Sequence, residues 1–173
     1  MKLFKRTGFA VLVTAMMILL AVGIGLARRP GRAGHIPTSE HAPWYVSDQA
    51  GVLPSSVVKQ LESSNRSLDS SMGVVIGYLT CNYGNSDLAN YAMEQAEEMG
   101  LGDNDFMVVL DISGDTYWLM QGNGLAELFS DDDCVAYAHE YMNQSFSQGD
   151  YAQALVSITD ALSQWYGSHY LGG

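Results

Sequence analysis

Five aspartates in predicted loops and at predicted element ends have the residue type and placement to bind a metal ion. They are Asp48, Asp103, Asp105, Asp111 and Asp131. Clusters of oxygen ligands without a histidine or thiol suit a hard cation, calcium before magnesium. We therefore predict these five side chains as metal ligands, with Ca²⁺ as the candidate cofactor. The alternative, that they cap helices and form turns, stays open because aspartate is favoured in both places.

The chain lacks the motifs of the common catalytic centres. His139-Glu140 begins like a zinc-protease helix, but Asn143 stands where the second histidine is required. Gly122-Asn123-Gly124 is followed by Glu127 instead of the third glycine of a dinucleotide-binding loop. No G-x-S-x-G nucleophile motif is present. We therefore predict no catalytic residue.

Charge is strongly segregated along the chain. Residues 1–34 hold six of the eight basic residues and no acidic one. The residues from Pro43 onward include eighteen acidic residues and only two basic ones, Lys59 and Arg66. Their formal net charge is −16. A domain of this charge repels nucleic acid, anionic lipid headgroups and phosphorylated substrates unless a cation intervenes. Nucleic acid is therefore excluded as a partner.

The first 42 residues differ in composition from the rest. Residues 1–7 are basic, residues 8–27 carry no charge, and residues 28–42 have the composition of a linker. Twenty helical residues reach about 30 Å, the thickness of the hydrocarbon core of a bilayer. We expect one N-terminal transmembrane helix that anchors an extracytoplasmic domain. A signal segment cleaved near Ala27 is the alternative, and the domain would then be secreted.

Residues 43–173 show the hydrophobic patterns of a single α/β domain. Pro54 suits a first helical turn, and Gly73 ends the helix that follows. Residues 106–110 and 116–121 are separated by a short turn, which requires antiparallel neighbours. The strands are apolar on both faces, as in sheets covered by helices on both sides. The predicted elements are a helix over 54–72, a strand over 74–79, a helix capped by Ser86, strands over 106–110 and 116–121, and helices over 131–146 and 151–166. This order predicts a three-layer α/β/α sandwich with a small mixed sheet.

Two cysteines, Cys81 and Cys134, allow two interpretations. In an oxidising compartment an even pair is consistent with a disulfide. Two unpaired, buried thiols are equally consistent with the sequence.

Several short motifs occur in a fixed order along the domain. They are V-S-D-Q-A-G-V-L (46–53), V-V-I-G-Y-L (74–79), F-M-V-V-L-D (106–111), G-N-G-L (122–125) and F-S-Q-G-D-Y (146–151). In this series the chain resembles the TPM domain family, which is named for a thylakoid-lumen acid phosphatase, a photosystem II repair protein and a modulator of acetylcholine receptors. The resemblance implies an α/β sandwich that is extracytoplasmic and commonly tethered to a membrane. It also implies calcium binding in some members and acid phosphatase activity in a few, and it matches the family's aspartates to Asp48 and Asp131.

Two functions of different classes follow from these observations. The first is a non-enzymatic interaction or accessory module, anchored by its N-terminal helix and acting on another envelope or membrane protein. The second is a metal-dependent acid phosphatase of the TPM type. Phosphate binding would then require a metal, because Lys59 and Arg66 are the only basic residues of the domain. We expect the non-enzymatic module, and the phosphatase remains the alternative.

Overall fold

The structure of the protein, a computed structural model, describes residues 43–84 and 86–170. The predicted anchor over 8–27 and the linker over 28–42 lie outside these ranges. Within the two described ranges, no helix combines the length and the apolarity needed to cross a bilayer.

Four strands and four α-helices make up the domain. They are β1 (Val46–Asp48), α1 (Ser55–Met72), β2 (Ile76–Cys81), α2 (Leu88–Met99), β3 (Phe106–Asp111), β4 (Thr116–Gln121), α3 (Asp131–Ser147) and α4 (Tyr151–Tyr170), with short 3₁₀ turns at Pro43–Tyr45 and Asn123–Leu125. All predicted helices and strands are present, with ends shifted by a few residues. Strand β1 is absent from the predicted elements, which begin with the helix over 54–72.

The sheet has the strand order β1-β2-β3-β4. The first three strands are parallel, and β4 runs antiparallel to β3, as predicted from the short turn. Asp48 pairs with Thr80, Cys81 with Asp111, and Phe106 with Gln121. The carboxyl ends of β1, β2 and β3 therefore lie at one end of the sheet, and β4 ends at the other.

Helices cover both faces, so the predicted three layers are confirmed. On one face, α1, α3 and α4 pack on a core that includes Ile76, Tyr78 and Val108. On the other face, α2 packs on Val75, Leu79 and neighbouring side chains. Strands β2 and β3 are fully buried, which explains why neither shows an alternating polar pattern.

The two parallel connections do not have the same hand. Helices α1 and α2 lie on opposite faces, although the sheet advances in one direction from β1 through β2 to β3. One of the two connections is therefore left-handed, whereas about 98% of such connections are right-handed.

Backbone chemistry sets the helix ends. Gly73 and Gly100 end α1 and α2 in the left-handed conformation, with φ of 65° and 74°. Ser130 and Asp133 form a reciprocal capping box at the start of α3. The prediction that Ser86 caps α2 is wrong: α2 begins at Leu88, so the N-cap is Asp87, and the Asp87 side chain makes no capping bond.

The domain contains its own cores. Every buried apolar side chain of the described ranges lies between Tyr45 and Tyr166. A segment that contains its own hydrophobic cores has the character of a domain.

Candidate functional site

Asp48, the last residue of β1, holds the turn that leads into α1. Its Oδ1 accepts a hydrogen bond from the Val52 amide at 3.1 Å, and its Oδ2 accepts one from the Leu53 amide at 3.0 Å. The Thr80 hydroxyl, on the neighbouring strand, donates to Oδ1. Three donors from the chain itself therefore occupy this half-buried carboxylate.

Asp111, the last residue of β3, is fully buried and organises two loops. Its carboxylate accepts hydrogen bonds from the Tyr83 amide at 2.9 Å and the Gly84 amide at 2.8 Å, in the loop before α2. It also accepts bonds from the Ser113 hydroxyl and the Gly114 amide, both at 3.2 Å, in the β3–β4 hairpin. This side chain ties the end of β3 to both loops.

Asp105 is also buried and serves the opposite end of the sheet. Its carboxylate accepts bonds from the Val75 amide at 2.8 Å and the Gly102 amide at 2.7 Å. These contacts connect the segment before β2 with the loop before β3. Asp105 therefore holds in place the segments that lead into β2 and β3.

Asp103 and Asp131 are exposed near the end of β4. The backbone carbonyl of Asp103 accepts a bond from the Gly124 amide at 2.8 Å, and its side chain faces solvent. Asp131, in the first turn of α3, accepts a bond from the Gln121 side-chain amide at 2.8 Å. Both carboxylates lie beside the turn that begins at Gly122.

The five predicted ligands do not meet in one place. Asp48 and Asp111 share one end of the sheet, but Asp48 aligns with Thr80 and Leu110 on the α1 face, whereas Asp111 aligns with Cys81 on the α2 face. The other three lie at the opposite end. Four residues of register separate the Thr80 row from the Ile76 row, a distance of about 13 Å.

These positions bear directly on the predicted calcium site. Calcium takes six to eight oxygen ligands, so a single site requires several carboxylates to converge. In the part of the chain that the structure describes, no three acidic, histidine or cysteine side chains are grouped to hold a metal ion. The five aspartates therefore do not fit one shared calcium centre, and calcium binding at any of them stays a prediction.

A groove beside β4 was not predicted from the sequence. It runs along the open edge of β4 between α2 and α3, has a volume of about 700 Å³, and is lined by Met93, Trp118, Met120, Val135 and Ala138 among other residues. We call it the β4 groove. It continues past both ends of β4 into smaller cavities of about 260 Å³ and 560 Å³.

The β4 groove concentrates exposed apolar surface. Met93, Trp118 and Val135 are exposed by 51%, 39% and 65%, and they are three of the five large apolar side chains that are exposed in the described residues. Soluble domains rarely leave contiguous apolar surface uncovered unless it binds something. In the sequence, Val135 lies among other apolar residues of the predicted helix, Cys134, Ala136 and Tyr137, so the pattern does not reveal that its side chain is exposed or which elements lie beside it.

The thiols are unpaired. Both cysteines are free and buried, Cys81 in the core under α2 and Cys134 in the core under α3. Burial, reinforced by the charges of Asp131 and Asp133, raises the pKa of the Cys134 thiol to about 12. Its Sγ donates to the Gln121 side-chain oxygen at 2.9 Å. Of the two interpretations left open by the sequence, the structure has the buried, unpaired thiols.

The chain belongs to the TPM domain family. A profile of the family, described as TPM domain, matches residues 46–165, which include all four strands. The resemblance carried by the sequence motifs is therefore confirmed. No curated protein sequence matches the chain.

Solved structures agree on the fold. The N-terminal domain of a P. gingivalis protein is 23% identical with a TM-score of 0.68, covering 76% of this chain and 87% of that one. The N-terminal domain of the cg2496 protein from Corynebacterium glutamicum is 18% identical with a TM-score of 0.57, covering 77% and 87%. The BA42 protein from Bizionia argentinensis is 16% identical with a TM-score of 0.52, covering 62% and 77%. At these identities the likeness concerns the fold alone.

Proposed function

We propose that this TPM domain is a non-enzymatic interaction module that assists another envelope or membrane protein. The observation that carries the proposal is the β4 groove, where three exposed apolar side chains border the open edge of a sheet. Burial of such side chains against a partner supplies the favourable free energy of most protein–protein association.

The acidic residues support the same proposal. Asp48, Asp105 and Asp111 accept hydrogen bonds from backbone amides, so their carboxylates serve the loops of the domain. Phosphoryl transfer requires positive charge to stabilise the developing negative charge. Both basic residues of the domain, Lys59 and Arg66, lie on α1, and Arg66 pairs with Glu62 and stacks on Trp44.

An assay of phosphate-ester hydrolysis separates this proposal from the phosphatase alternative. Full-length protein is incubated with para-nitrophenyl phosphate at acidic and neutral pH, with calcium, magnesium or a chelator. We expect no turnover above that of an Asp48→Asn variant. Metal-dependent turnover that Asp48→Asn abolishes would overturn the non-enzymatic function.

Calcium binding is a separate proposal with its own measurement. Asp103 and Asp131 are the predicted ligands whose side chains are exposed, so they are the first to test. Calorimetric titration of calcium into the protein is compared with Asp103→Asn and Asp131→Asn. Saturable heat that both variants weaken would place the Asp103 and Asp131 side chains in one site. Absence of heat would overturn the proposal that the protein binds calcium.

The proposed location rests on the N-terminal sequence. An anchor over residues 8–27 would place the domain outside the cytoplasm, where envelope and membrane proteins are accessible. Protease added to intact cells should digest the domain, and mass spectrometry of the mature chain should find residues 1–27 retained. A domain protected in intact cells would contradict this location.

A further inference from the structure

The edge of β4 presents free backbone groups to the β4 groove. Within the described residues, β4 is the last strand of the sheet and has β3 as its only neighbour. The Gly122 amide donates to the Asp105 carbonyl at 2.8 Å, so this antiparallel pair is hydrogen-bonded. Bonded pairs alternate along an antiparallel ladder, and Trp118 and Met120 therefore direct their backbone groups toward β3. Tyr117, Leu119 and Gln121 direct theirs outward, to the groove.

The dimensions of the groove suit one additional strand. Strand β4 has six residues, about 20 Å at the rise of a β-strand. The β4 groove and its two continuations follow this whole length, sharing Trp118 at one end and Met120 at the other. A small ligand would need an enclosing pocket, whereas an open channel along a sheet edge matches an extended peptide.

Both walls of the channel are apolar. Successive side chains of a strand point to opposite faces of its sheet. In an added strand, one set would contact Met93 and Trp118 on the α2 side, and the other set would contact Val135 and Ala138 on the α3 side. The occupant therefore needs apolar or β-branched side chains at consecutive positions.

Charge selects among extended chains. Asp131 lines the groove, and Glu97 and Asp103 line its continuation beyond the end of β4. The residues from Pro43 onward carry a formal charge of −16, and both of their basic residues lie on α1, which packs at the β1 side. A second copy of the domain would meet strong repulsion of like charge, whereas lysine or arginine at the end of the occupant would be attracted.

We propose that the β4 groove binds an extended, mostly apolar segment of a partner protein that ends in lysine or arginine, and that this segment pairs with β4 as a fifth strand. The inference rests on the proposed interaction function and specifies its partner. The backbone of the segment bonds to Tyr117, Leu119 and Gln121. Its basic end lies at Glu97, Asp103 and Asp131.

The test uses a phage-displayed library of random heptapeptides panned against the full chain in a non-ionic detergent. Enriched peptides should be rich in β-branched and aromatic residues with lysine or arginine at one end. Val135→Asp should lower the affinity for a synthetic copy of an enriched peptide by about tenfold or more, because it places a charge in the apolar wall. Leu128→Asp is the matched control: Leu128 is 58% exposed outside the groove, so affinity should stay within about twofold.

Two further measurements separate this binding mode from a fold defect. On peptide addition, hydrogen exchange of the Tyr117, Leu119 and Gln121 amides should slow by about tenfold or more, while the Trp118 and Met120 amides should change little. Asp131→Asn should weaken binding in a salt-dependent way, and Asp160→Asn, exposed on α4, should not.

Four results would overturn the inference: no enriched peptide, enrichment of acidic peptides, equal effects of Val135→Asp and Leu128→Asp, or a dimer that Val135→Asp dissolves. A partner bound through another surface would overturn this inference and leave the proposed interaction function intact. Phosphate-ester turnover would instead overturn the proposed function.

Discussion

Thr80 donates its hydroxyl hydrogen to the carboxylate of Asp48 across the β1–β2 pair. The Ala50 amide donates to the Thr80 carbonyl at 3.1 Å and to its hydroxyl oxygen at 3.3 Å, so both the backbone and the side chain of Thr80 hold the turn after β1. These hydrogen bonds define the role of Asp48 in the folded domain. Its carboxylate binds backbone and hydroxyl donors of the chain and holds β1 to the sheet.

Replacing Asp48 should reduce the stability of the domain. Asp48→Asn removes the charge and puts an amide donor where one oxygen accepts a bond, so we expect a loss of about 1–3 kcal/mol in the free energy of unfolding. Thr80→Val should cost about 1 kcal/mol. Urea unfolding measures both, and Asp132→Asn, an exposed aspartate of α3, should change stability by less than about 0.5 kcal/mol. Unchanged stability in Asp48→Asn would contradict the structural role.

Replacing two glycines by alanine should change the stability of the domain in opposite directions. A Cβ on Gly122 would lie 2.6 Å from the Gly102 carbonyl oxygen and would also meet that of Asp103, so Gly122→Ala should cost more than about 1 kcal/mol. Gly167 lies inside α4, and no atom outside its own stretch of helix lies within 4 Å of the position that a Cβ would take, so Gly167→Ala should stabilise the domain by about 0.5–1 kcal/mol. Thermal unfolding measures the two signs. A Gly122→Ala protein as stable as the wild type would contradict the close approach of these loops.

The cysteines should be unreactive in the folded protein. Burial raises the pKa of both thiols, that of Cys134 to about 12 from an ordinary 9.0. A thiol reagent at pH 8 should therefore label neither cysteine until urea unfolds the domain, because the thiolate is the reactive form. Rapid labelling of native protein would contradict the burial.

The same shift gives stability a defined dependence on pH. In the folded protein the Cys134 thiol keeps its proton, whereas in the unfolded chain it ionises near pH 9. Its contribution to the free energy of unfolding is therefore complete below pH 9 and is lost as the pH rises toward the folded pKa of about 12. The decline in unfolding free energy between pH 9 and pH 11 should be shallower in Cys134→Ala. A decline of equal slope in both proteins would exclude this thiol as a source.

The capping box of α3 makes a prediction at low pH. Hydrogen bonds from the Ser130 hydroxyl and amide lower the pKa of Asp133. Its stabilising contribution is therefore present above the ordinary carboxyl pKa and is lost as pH falls through the lowered value. In a carboxyl NMR titration, Ser130→Ala should raise this pKa, and Ser147→Ala, at the other end of α3, should leave it unchanged.

Sequence patterns predicted the regular elements because each long helix carries a continuous apolar face. Leu61, Leu68 and Met72 are examples: their spacing requires one buried side whatever the partner. Strand β1 was missed because three residues are too few to show a period, and its pairing with β2 supplies the regularity.

The site was less accessible to sequence reasoning. The sequence shows where an aspartate stands but not whether backbone amides already donate to its carboxylate. In Asp111 they do. The β4 groove exists because α2 and α3 lie on opposite faces of β4 and neither covers its edge. That arrangement depends on the face of the sheet on which each helix packs, which no local sequence pattern encodes.

Site-specific photocrosslinking tests most directly whether the β4 groove is the partner-binding surface. A photoreactive amino acid is placed at position 135, in the β4 groove, or at position 128, an exposed apolar position outside it, in cells that produce the full chain. We predict a defined covalent adduct with another protein from position 135 and none from position 128. An adduct from position 128 alone, or none from either position, would contradict the assignment of the β4 groove as the partner-binding surface.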